Sequence, residues 1–200
     1  LSSFDALNEP GDNKFIKDYW PKLIKKINWN NPSKYFNKYT PKEESIKLFQ
    51  IFIDLGDIYL AENKFENAIK YYEAGRSKLT EWKKNNQTNI YYIVYDRKFA
   101  VSIATPKIVL AVSEYNSNLD NKEKADKAFD KIRSVKKDLI QVEKLFSSLE
   151  KNLQNNLKRK YPTHLTRVYQ ALITTNNFAQ DKNDAFKWAT KMMNEVKNYP

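Results

Sequence analysis

Residues 51–75 read IFIDLGDIYLAENKFENAIKYYEAG, and this stretch decides the fold that we expect for the chain. Its apolar residues recur at helical spacing on both sides of the polar turn Ala61-Glu62-Asn63-Lys64, which predicts two helices joined by a tight connection. The first stripe is Ile51, Leu55, Ile58 and Tyr59, and the second is Phe65, Ala68, Ile69 and Tyr72. The stretch therefore predicts a helical hairpin, which we place over residues 40–82.

Capping signals mark the start of this hairpin. Thr40 can cap the first helix, Pro41 suits the first helical position, and Glu43 lies three residues after the cap, where it completes a capping box. Upstream, residues 1–13 are polar and predict a flexible tail. Residues 14–39 carry apolar and aromatic side chains at helical spacing with a proline inside the run, which predicts a kinked or divided helical cap.

The hairpin resembles a tetratricopeptide repeat. The family pattern has a large apolar residue, a Leu-Gly pair, aromatic residues three positions later and just after the turn, a small residue, a further aromatic and a small closing residue. These places are filled by Phe52, Leu55, Gly56, Tyr59, Phe65, Ala68, Tyr72 and Gly75. Gly56 and Ala68 would let the paired helices approach closely, while Thr80 replaces the usual closing proline. An ordinary tight hairpin of a helical bundle is the alternative.

Residues 90–160 fit a degenerate second hairpin. Their first part is rich in β-branched residues, so a strand is an alternative to helix there. We expect two helical pieces that are broken near Thr105-Pro106. The second piece places Ala111 and Tyr115 at the leucine and tyrosine positions of the pattern, while Val112 replaces the glycine.

Residues 120–160 carry the most regular periodicity in the chain. Apolar side chains spaced alternately three and four apart, with no glycine or proline among them, predict one long helix of roughly 50–60 Å. They are Ala125, Ala128, Ile132, Val135, Leu139, Val142, Phe146, Leu149 and Leu153. This heptad seam, residues 125–153, could pair two chains in a homodimer. Antiparallel packing within its own chain is the more common use of such a helix.

Residues 163–200 predict a third, degenerate hairpin. Leu172 and Ala185 are as far apart as the matching leucine and alanine of the good repeat. The fold class that we expect is therefore all-α. Residues 14–200 would form a single domain, a short stack of tetratricopeptide-like helical hairpins with one long heptad-patterned helix.

The composition agrees with an all-helical chain and argues against several kinds of chemistry. Only three glycines occur in 200 residues, without the Asn-Gly or Asp-Gly pairs of tight β-hairpins. There is no cysteine, which excludes disulfides and thiolate chemistry. The single histidine, His164, has no neighbouring acid or ligand cluster, and neither a glycine-rich phosphate loop nor a Gly-x-Ser-x-Gly elbow is present. We therefore expect a non-enzymatic protein without a cofactor or metal ion.

The resemblance implies a groove that binds another protein. In tetratricopeptide stacks the first helices of successive hairpins line a concave surface that takes peptides or partner proteins. The matching positions here are Gln50, Ile53, Asp54, Asp57 and Leu60 in the good repeat, and Arg167, Gln170, Thr174 and Asn177 in the third. Members that grip a carboxyl terminus use lysine and asparagine there, and this chain departs from them with Ile53 and Asp57. The resemblance implies a scaffold or interaction module whose partner is a protein.

The charge suggests a second class of partner. The formal net charge of +11 would suit nucleic acid, an anionic lipid surface or an acidic protein, although lysine-rich coding in an AT-rich genome gives the same composition. Between residues 151 and 180 there is no Asp or Glu, and the basic patch there consists of Lys151, Lys158, Arg159, Lys160 and Arg167. Lysines at a helix C-terminus are also favoured by the helix dipole. Aromatic residues alternate with lysines over residues 14–38, a pattern that can bind single strands. The alternative function is therefore a basic nucleic-acid-binding module.

The location of the protein is open from the sequence. No stretch is apolar enough to span a membrane, and the printed sequence contains no signal peptide. The composition resembles that of secreted tetratricopeptide lipoproteins of AT-rich bacteria. On that resemblance we expect an extracytoplasmic protein, periplasmic or lipid-anchored through a segment upstream of Leu1, with the cytoplasm as the alternative.

Overall fold

Every regular element in the described part of the chain is a helix. The computed structural model describes residues 10–29, 42–84, 91–160 and 164–197. The helices are α1 (Pro10–Lys26), a 3₁₀ helix (Lys42–Phe49), α2 (Gln50–Ala61), α3 (Phe65–Lys84), α4 (Tyr91–Asn116), α5 (Lys122–Ser147), α6 (Lys151–Lys160), α7 (His164–Phe178) and α8 (Lys182–Lys197). The all-α fold class is confirmed. The strand alternative for the segment after residue 90 is wrong, because α4 covers its described part.

The chain divides into two compact units, residues 1–89 and 90–200, whereas we expected one domain over residues 14–200. The first unit contains α1, the 3₁₀ helix and the α2–α3 hairpin. The second contains the α4–α5 hairpin, the short helix α6 and the α7–α8 hairpin. The helical-hairpin arrangement is compatible with a tetratricopeptide-like fold.

The turn of the α2–α3 hairpin falls where the sequence predicts it. α2 ends at Ala61 and α3 begins at Phe65. Asn63 adopts the left-handed backbone region with φ of 58°, which asparagine tolerates better than most residues. The backbone amides of Glu62, Asn63 and Lys64 donate to carbonyls in the last turn of α2, so the helix end is satisfied locally. The predicted caps Thr40 and Pro41 lie outside the described residues.

Gly56 packs where the Tyr72 ring leaves no room for a larger residue. A Cβ atom placed on Gly56 would lie within 2.6 Å of Cζ of Tyr72. Tyr72 and Ala68 are both fully buried. The small residues of the predicted pattern therefore do let α2 and α3 approach closely.

The first helix differs from its predicted limits. α1 begins at Pro10, so residues 10–13, which we expected in a flexible tail, belong to it. It also continues through Pro21, so the expected division into two short helices is wrong, while the kink at this proline stays a prediction. Proline removes one backbone hydrogen bond from a helix. The burial of Ile16 and Trp20 in the first unit offsets that loss.

An aromatic cluster forms the core of the first unit. The Trp29 ring lies 5.1 Å from the Phe49 ring and 4.8 Å from the Phe52 ring, and Phe49 in turn meets Trp82 at 6.0 Å. Trp29 Nε1 donates to the backbone oxygen of Ile24 at 3.0 Å, which satisfies the one polar atom of the indole. The cluster connects Trp29, which lies within the predicted helical cap, to the hairpin. The rest of that cap, residues 30–39, lies outside the described part.

Helix α4 is continuous, and the predicted break at Thr105-Pro106 is wrong. Pro106 lies inside α4 and is itself buried. Ile103, Ala104, Ile108 and Ala111, which lie before and after it in α4, are buried too. Their packing against the rest of the second unit outweighs the local cost of the proline, which is about 3 kcal/mol.

The heptad seam lies on α5 and faces the chain's own second unit. All seven seam residues from Ala125 to Phe146 are buried, and α5 packs against α4 and α7. Packing within the chain, the alternative given for this helix, is therefore what buries the seam here, and pairing of two chains through it stays a prediction.

The prediction of one long helix over residues 120–160 is wrong beyond Ser147, because α5 ends there and a separate helix, α6, begins at Lys151. Polar side chains satisfy the carbonyls that a continuing helix would use. Ser148 Oγ donates to the oxygen of Leu145 at 2.8 Å, and Gln154 Nε2 donates to the oxygen of Leu149 at 2.7 Å. Such local hydrogen bonds compete with the helical pattern.

Candidate partner-binding groove

A groove runs between α4 and α7 in the second unit. Its volume is about 370 Å³. From α4 it is lined by Val101, Ala104, Thr105, Ile108 and Val109, and from α7 by Arg167, Gln170, Ala171, Thr174 and Phe178. Because α7 packs against both α4 and α5, it lies beside the preceding hairpin. The groove lies where α7 and α4 meet.

Helical spacing explains why these α7 side chains share one surface. Positions three, four, seven and eleven residues apart lie on the same face of a helix. Arg167, Gln170, Thr174 and Phe178 follow this spacing and are exposed. Three of the four positions that the resemblance implied in the third hairpin thus lie together in the groove. The fourth, Asn177, is exposed but does not line it.

Most of the groove is neutral and partly apolar. Phe178 is 44% exposed and Val109 is 40% exposed, so the groove offers a ring and a branched side chain that the second unit leaves uncovered. Thr105, Gln170 and Thr174 add polar groups able to hydrogen-bond a bound segment. The lining therefore combines apolar contact area with a few polar positions, which is the usual make-up of a binding surface.

Arg167 is the one charged side chain among the described residues that line the groove. The Arg167 side chain is exposed, and none of the acidic residues in the described ranges forms an ion pair with it. Helices α6 and α7 contain no Asp or Glu. The positive charge in the groove is therefore not neutralised by its own helix.

The predicted groove positions on α2 belong to the first unit and form a hydrogen-bonded surface there. Gln50 Nε2 donates to Asp54 Oδ1 at 2.8 Å, and the Tyr72 hydroxyl donates to Asp57 Oδ1 at 2.6 Å. Ile53 is only 5% exposed, so it offers little contact area. Leu60 is half-buried. The Asp57 carboxylate thus links α2 to α3, whereas the bond of the Asp54 carboxylate to Gln50 lies within α2.

The predicted basic patch is partly engaged inside the second unit. Lys158 Nζ pairs with Glu195 Oε1 at 2.7 Å. Lys160 Nζ donates to the Tyr91 hydroxyl at 3.0 Å and lies 4.5 Å from the centre of that ring. Lys151 and Arg159 are exposed on α6, and Arg167 lies on α7. The side chain of His164 falls outside the described part of the chain.

The groove residues on α4 were not predicted from the sequence. We expected a break at Thr105-Pro106, which would have separated Val101 from Ile108 and Val109. A signal was present nonetheless, because residues 101, 105 and 108 have the spacing of one helical face. Phe178 was not predicted either, although it lies eleven positions after Arg167 and thus on the same face.

A second cleft lies on another side of α4, against α5. Its volume is about 540 Å³, and its lining is mixed in charge, with Lys107, Lys131, Lys137 and Asp138 around the apolar Ile103 and Val135. Lys131 pairs with Glu114. This cleft therefore contains an acid in its own lining, Asp138, and a lysine paired with an acid of the same unit, whereas the α4–α7 groove has neither.

A cluster of polar and aromatic side chains connects α5, α7 and α8. Glu143 of α5 is buried and accepts hydrogen bonds from Ser147 Oγ at 3.1 Å and from Lys191 Nζ at 3.2 Å. Burial, together with the nearby Glu143 carboxylate, raises the pKa of the Tyr169 hydroxyl well above its usual range. Tyr169 also stacks on Trp188 at 5.9 Å. These contacts hold α5, α7 and α8 in the arrangement that forms the groove.

Within the described ranges, no group of acidic, histidine or cysteine side chains is arranged to hold a metal ion. No helix in the described segments has both the length and the apolar character that crossing a membrane requires. Comparison with protein-family models, with curated proteins and with solved structures found no match to the chain. The groove and its residues are therefore the basis from which we infer a function.

Proposed function

We propose that this chain is a non-enzymatic, tetratricopeptide-like interaction module whose α4–α7 groove binds a segment of a partner protein. The observation that carries the proposal is the convergence of Arg167, Gln170 and Thr174 with the exposed Val109 and Phe178 in one groove. A concave lining that combines apolar side chains with a few polar ones is the usual form of a binding site.

Site-specific photocrosslinking tests this proposal with a matched pair of positions. A photoreactive phenylalanine analogue would replace Phe178 in the groove in one variant and the exposed Phe186 of α8 in the other. We expect a protein from the native lysate to crosslink at position 178 and not at 186. Equal crosslinking at both positions would mean nonspecific contact and would contradict the proposal.

A blocked groove provides the second half of the test. Thr174→Trp places a large ring in the groove, whereas Thr80→Trp makes the same change at an exposed threonine of α3. Crosslinking at position 178 should be lost with Thr174→Trp and retained with Thr80→Trp. If the crosslinked product survives Thr174→Trp, the groove is not the binding surface.

A nucleic-acid-binding module is the second candidate, favoured by a specific pair of rings. Phe15 and Tyr19 are exposed on α1 and stack on each other at 5.3 Å with an interplanar angle of 12°. Lys22 is exposed one turn further along the same face. Exposed rings beside lysines can stack with bases and contact phosphates. Affinity for a labelled single-stranded oligonucleotide should then fall steeply with salt and be reduced by Phe15→Ala, and a flat salt response would exclude this candidate.

A further inference from the structure

We infer that the segment bound by the α4–α7 groove is extended and carries an Asp or Glu side chain for Arg167 and, about five residues away, a large apolar side chain for Phe178 and Val109. This inference depends on the proposed function, since it describes the partner of the same groove. It rests on the charge of the lining, on the two exposed apolar side chains and on the distance between the two ends of α7.

The positive charge in the groove is the reason why we expect an Asp or Glu side chain on the bound segment. Arg167 is the one charged residue in the described lining, and its neighbourhood in sequence, residues 151–180, contains no acid. Guanidinium groups bind carboxylates through two parallel hydrogen bonds, a geometry that lysine cannot provide. A segment with one well-placed Asp or Glu would satisfy this arginine, while a basic segment would be repelled.

The exposed apolar residues of the groove are the reason why we expect a large apolar side chain on the bound segment. Phe178 and Val109 are exposed to 44% and 40%, and both line the groove. Covering them removes apolar surface from water, which favours binding of a leucine, phenylalanine or other large apolar residue. Small polar residues would leave this area hydrated and would add little affinity.

The distance along α7 from Arg167 to Phe178 sets the spacing that we expect between the acidic and the apolar residue of the bound segment. Phe178 follows Arg167 by eleven positions, which corresponds to roughly 16 Å along a helix. An extended chain covers that distance in about five residues. Gln170 and Thr174 lie between the two ends and are exposed in the groove. Their side chains can hydrogen-bond backbone groups, which are available in an extended segment and already paired within a helical one.

Selection from a random peptide library tests the inference while the partner is still unidentified. Phage-displayed random dodecamers would be selected on the wild-type chain and depleted on the Thr174→Trp variant, so that the retained peptides depend on the groove. We expect enrichment of an acidic residue and a large apolar residue about five positions apart. Selected sequences would then be synthesised with acetylated and amidated ends, so that side chains provide the only carboxylates.

Charge exchange at Arg167 supplies the decisive measurement. By fluorescence anisotropy, Arg167→Glu should weaken binding of the acidic peptides by about tenfold or more. Lys122→Gln, which removes an exposed positive charge of α5 outside the groove and the basic patch, should leave binding unchanged. Peptides with the acid replaced by lysine should bind Arg167→Glu better than wild type. Circular dichroism would verify that each variant keeps its helix content.

The possible results distinguish a failure of the inference from a failure of the proposed function. Groove-dependent peptides that lack an acid, or that bind Arg167→Glu as well as wild type, would overturn the inference and leave the proposed function standing. Acidic peptides with no preferred spacing to an apolar residue would overturn the extended geometry. If depletion on the Thr174→Trp variant leaves no peptide that binds the wild-type chain, both the proposed function and the inference are wrong.

Discussion

The Tyr72 hydroxyl of α3 donates a hydrogen bond of 2.6 Å to Oδ1 of Asp57 on α2, and so connects the two helices of the first hairpin through polar atoms. The Tyr72 ring is fully buried, whereas Asp57 is exposed. The bond therefore lies at the edge of the core and gives a buried hydroxyl its acceptor. Asp57 was predicted as a groove residue, but its carboxylate also supports the hairpin, so its replacement affects folding as well as any binding.

Removing either partner of this bond should lower the stability of the first unit by different amounts. Tyr72→Phe leaves an exposed carboxylate that water can solvate, so we expect a loss of about 0.5–1.5 kcal/mol. Asp57→Ala leaves the hydroxyl of a buried tyrosine without its acceptor, so the loss should be about 1–3 kcal/mol. Urea unfolding followed by circular dichroism measures both. Equal stability of Asp57→Ala and wild type would show that the bond contributes nothing.

Gly56→Ala should destabilise the protein even though alanine favours helix. The added methyl group would meet the Tyr72 ring, and overpacking of this kind costs about 1–3 kcal/mol. Alanine's higher helix propensity, worth about 1 kcal/mol, offsets only part of this cost. Chemical denaturation is again the measurement. Asn67→Ala, an exposed change on α3, serves as the control and should leave the stability within about 0.5 kcal/mol.

High pH should weaken the folded state through Tyr72. Burial raises the pKa of Tyr72 well above its usual range, and the hydrogen bond to Asp57 raises it further. The folded chain therefore keeps the phenolic proton where the unfolded chain loses it, above a pH of about 10. Stability is fully present below that pH and falls as pH rises through it. Thermal unfolding from pH 8 to 11 should show this fall.

A double replacement isolates the tyrosines responsible for that pH dependence. The pKa of Tyr169 is raised in the same direction, so Tyr72→Phe should reduce the slope and Tyr72→Phe with Tyr169→Phe should reduce it further. Tyr19→Phe, at an exposed position, is the matched control. An unchanged slope in the double variant would contradict the assignment to these two hydroxyls.

Leu139→Ala tests whether the heptad seam serves the chain's own fold. Leu139 is 1% exposed on α5, so truncation should create a cavity and cost about 2–5 kcal/mol. The mass measured by sedimentation should be the same for the variant and wild type, because the seam packs against α4 and α7. A wild-type dimer that dissociates in Leu139→Ala would instead indicate that the seam pairs two chains.

The sequence by itself determined the features that depend on neighbours along the chain. The α2–α3 hairpin follows from apolar spacing, from a turn at Glu62-Asn63-Lys64 and from Gly56, all within residues 51–75. The seven buried seam residues of α5 were likewise predictable, because heptad spacing directly reflects one helical face. The α7 face from Arg167 to Thr174 was reached through the same spacing, by comparison with the first hairpin.

Only the tertiary structure decided the features that depend on distant residues. Pro106 is a strong local signal for a break, yet α4 runs through it because packing across the second unit offsets one missing hydrogen bond. The groove itself exists because α7 packs beside α4, which lies far earlier in the chain. Periodicity reports which face of a helix is apolar, whereas the partner of that face is selected by the packing of the whole unit.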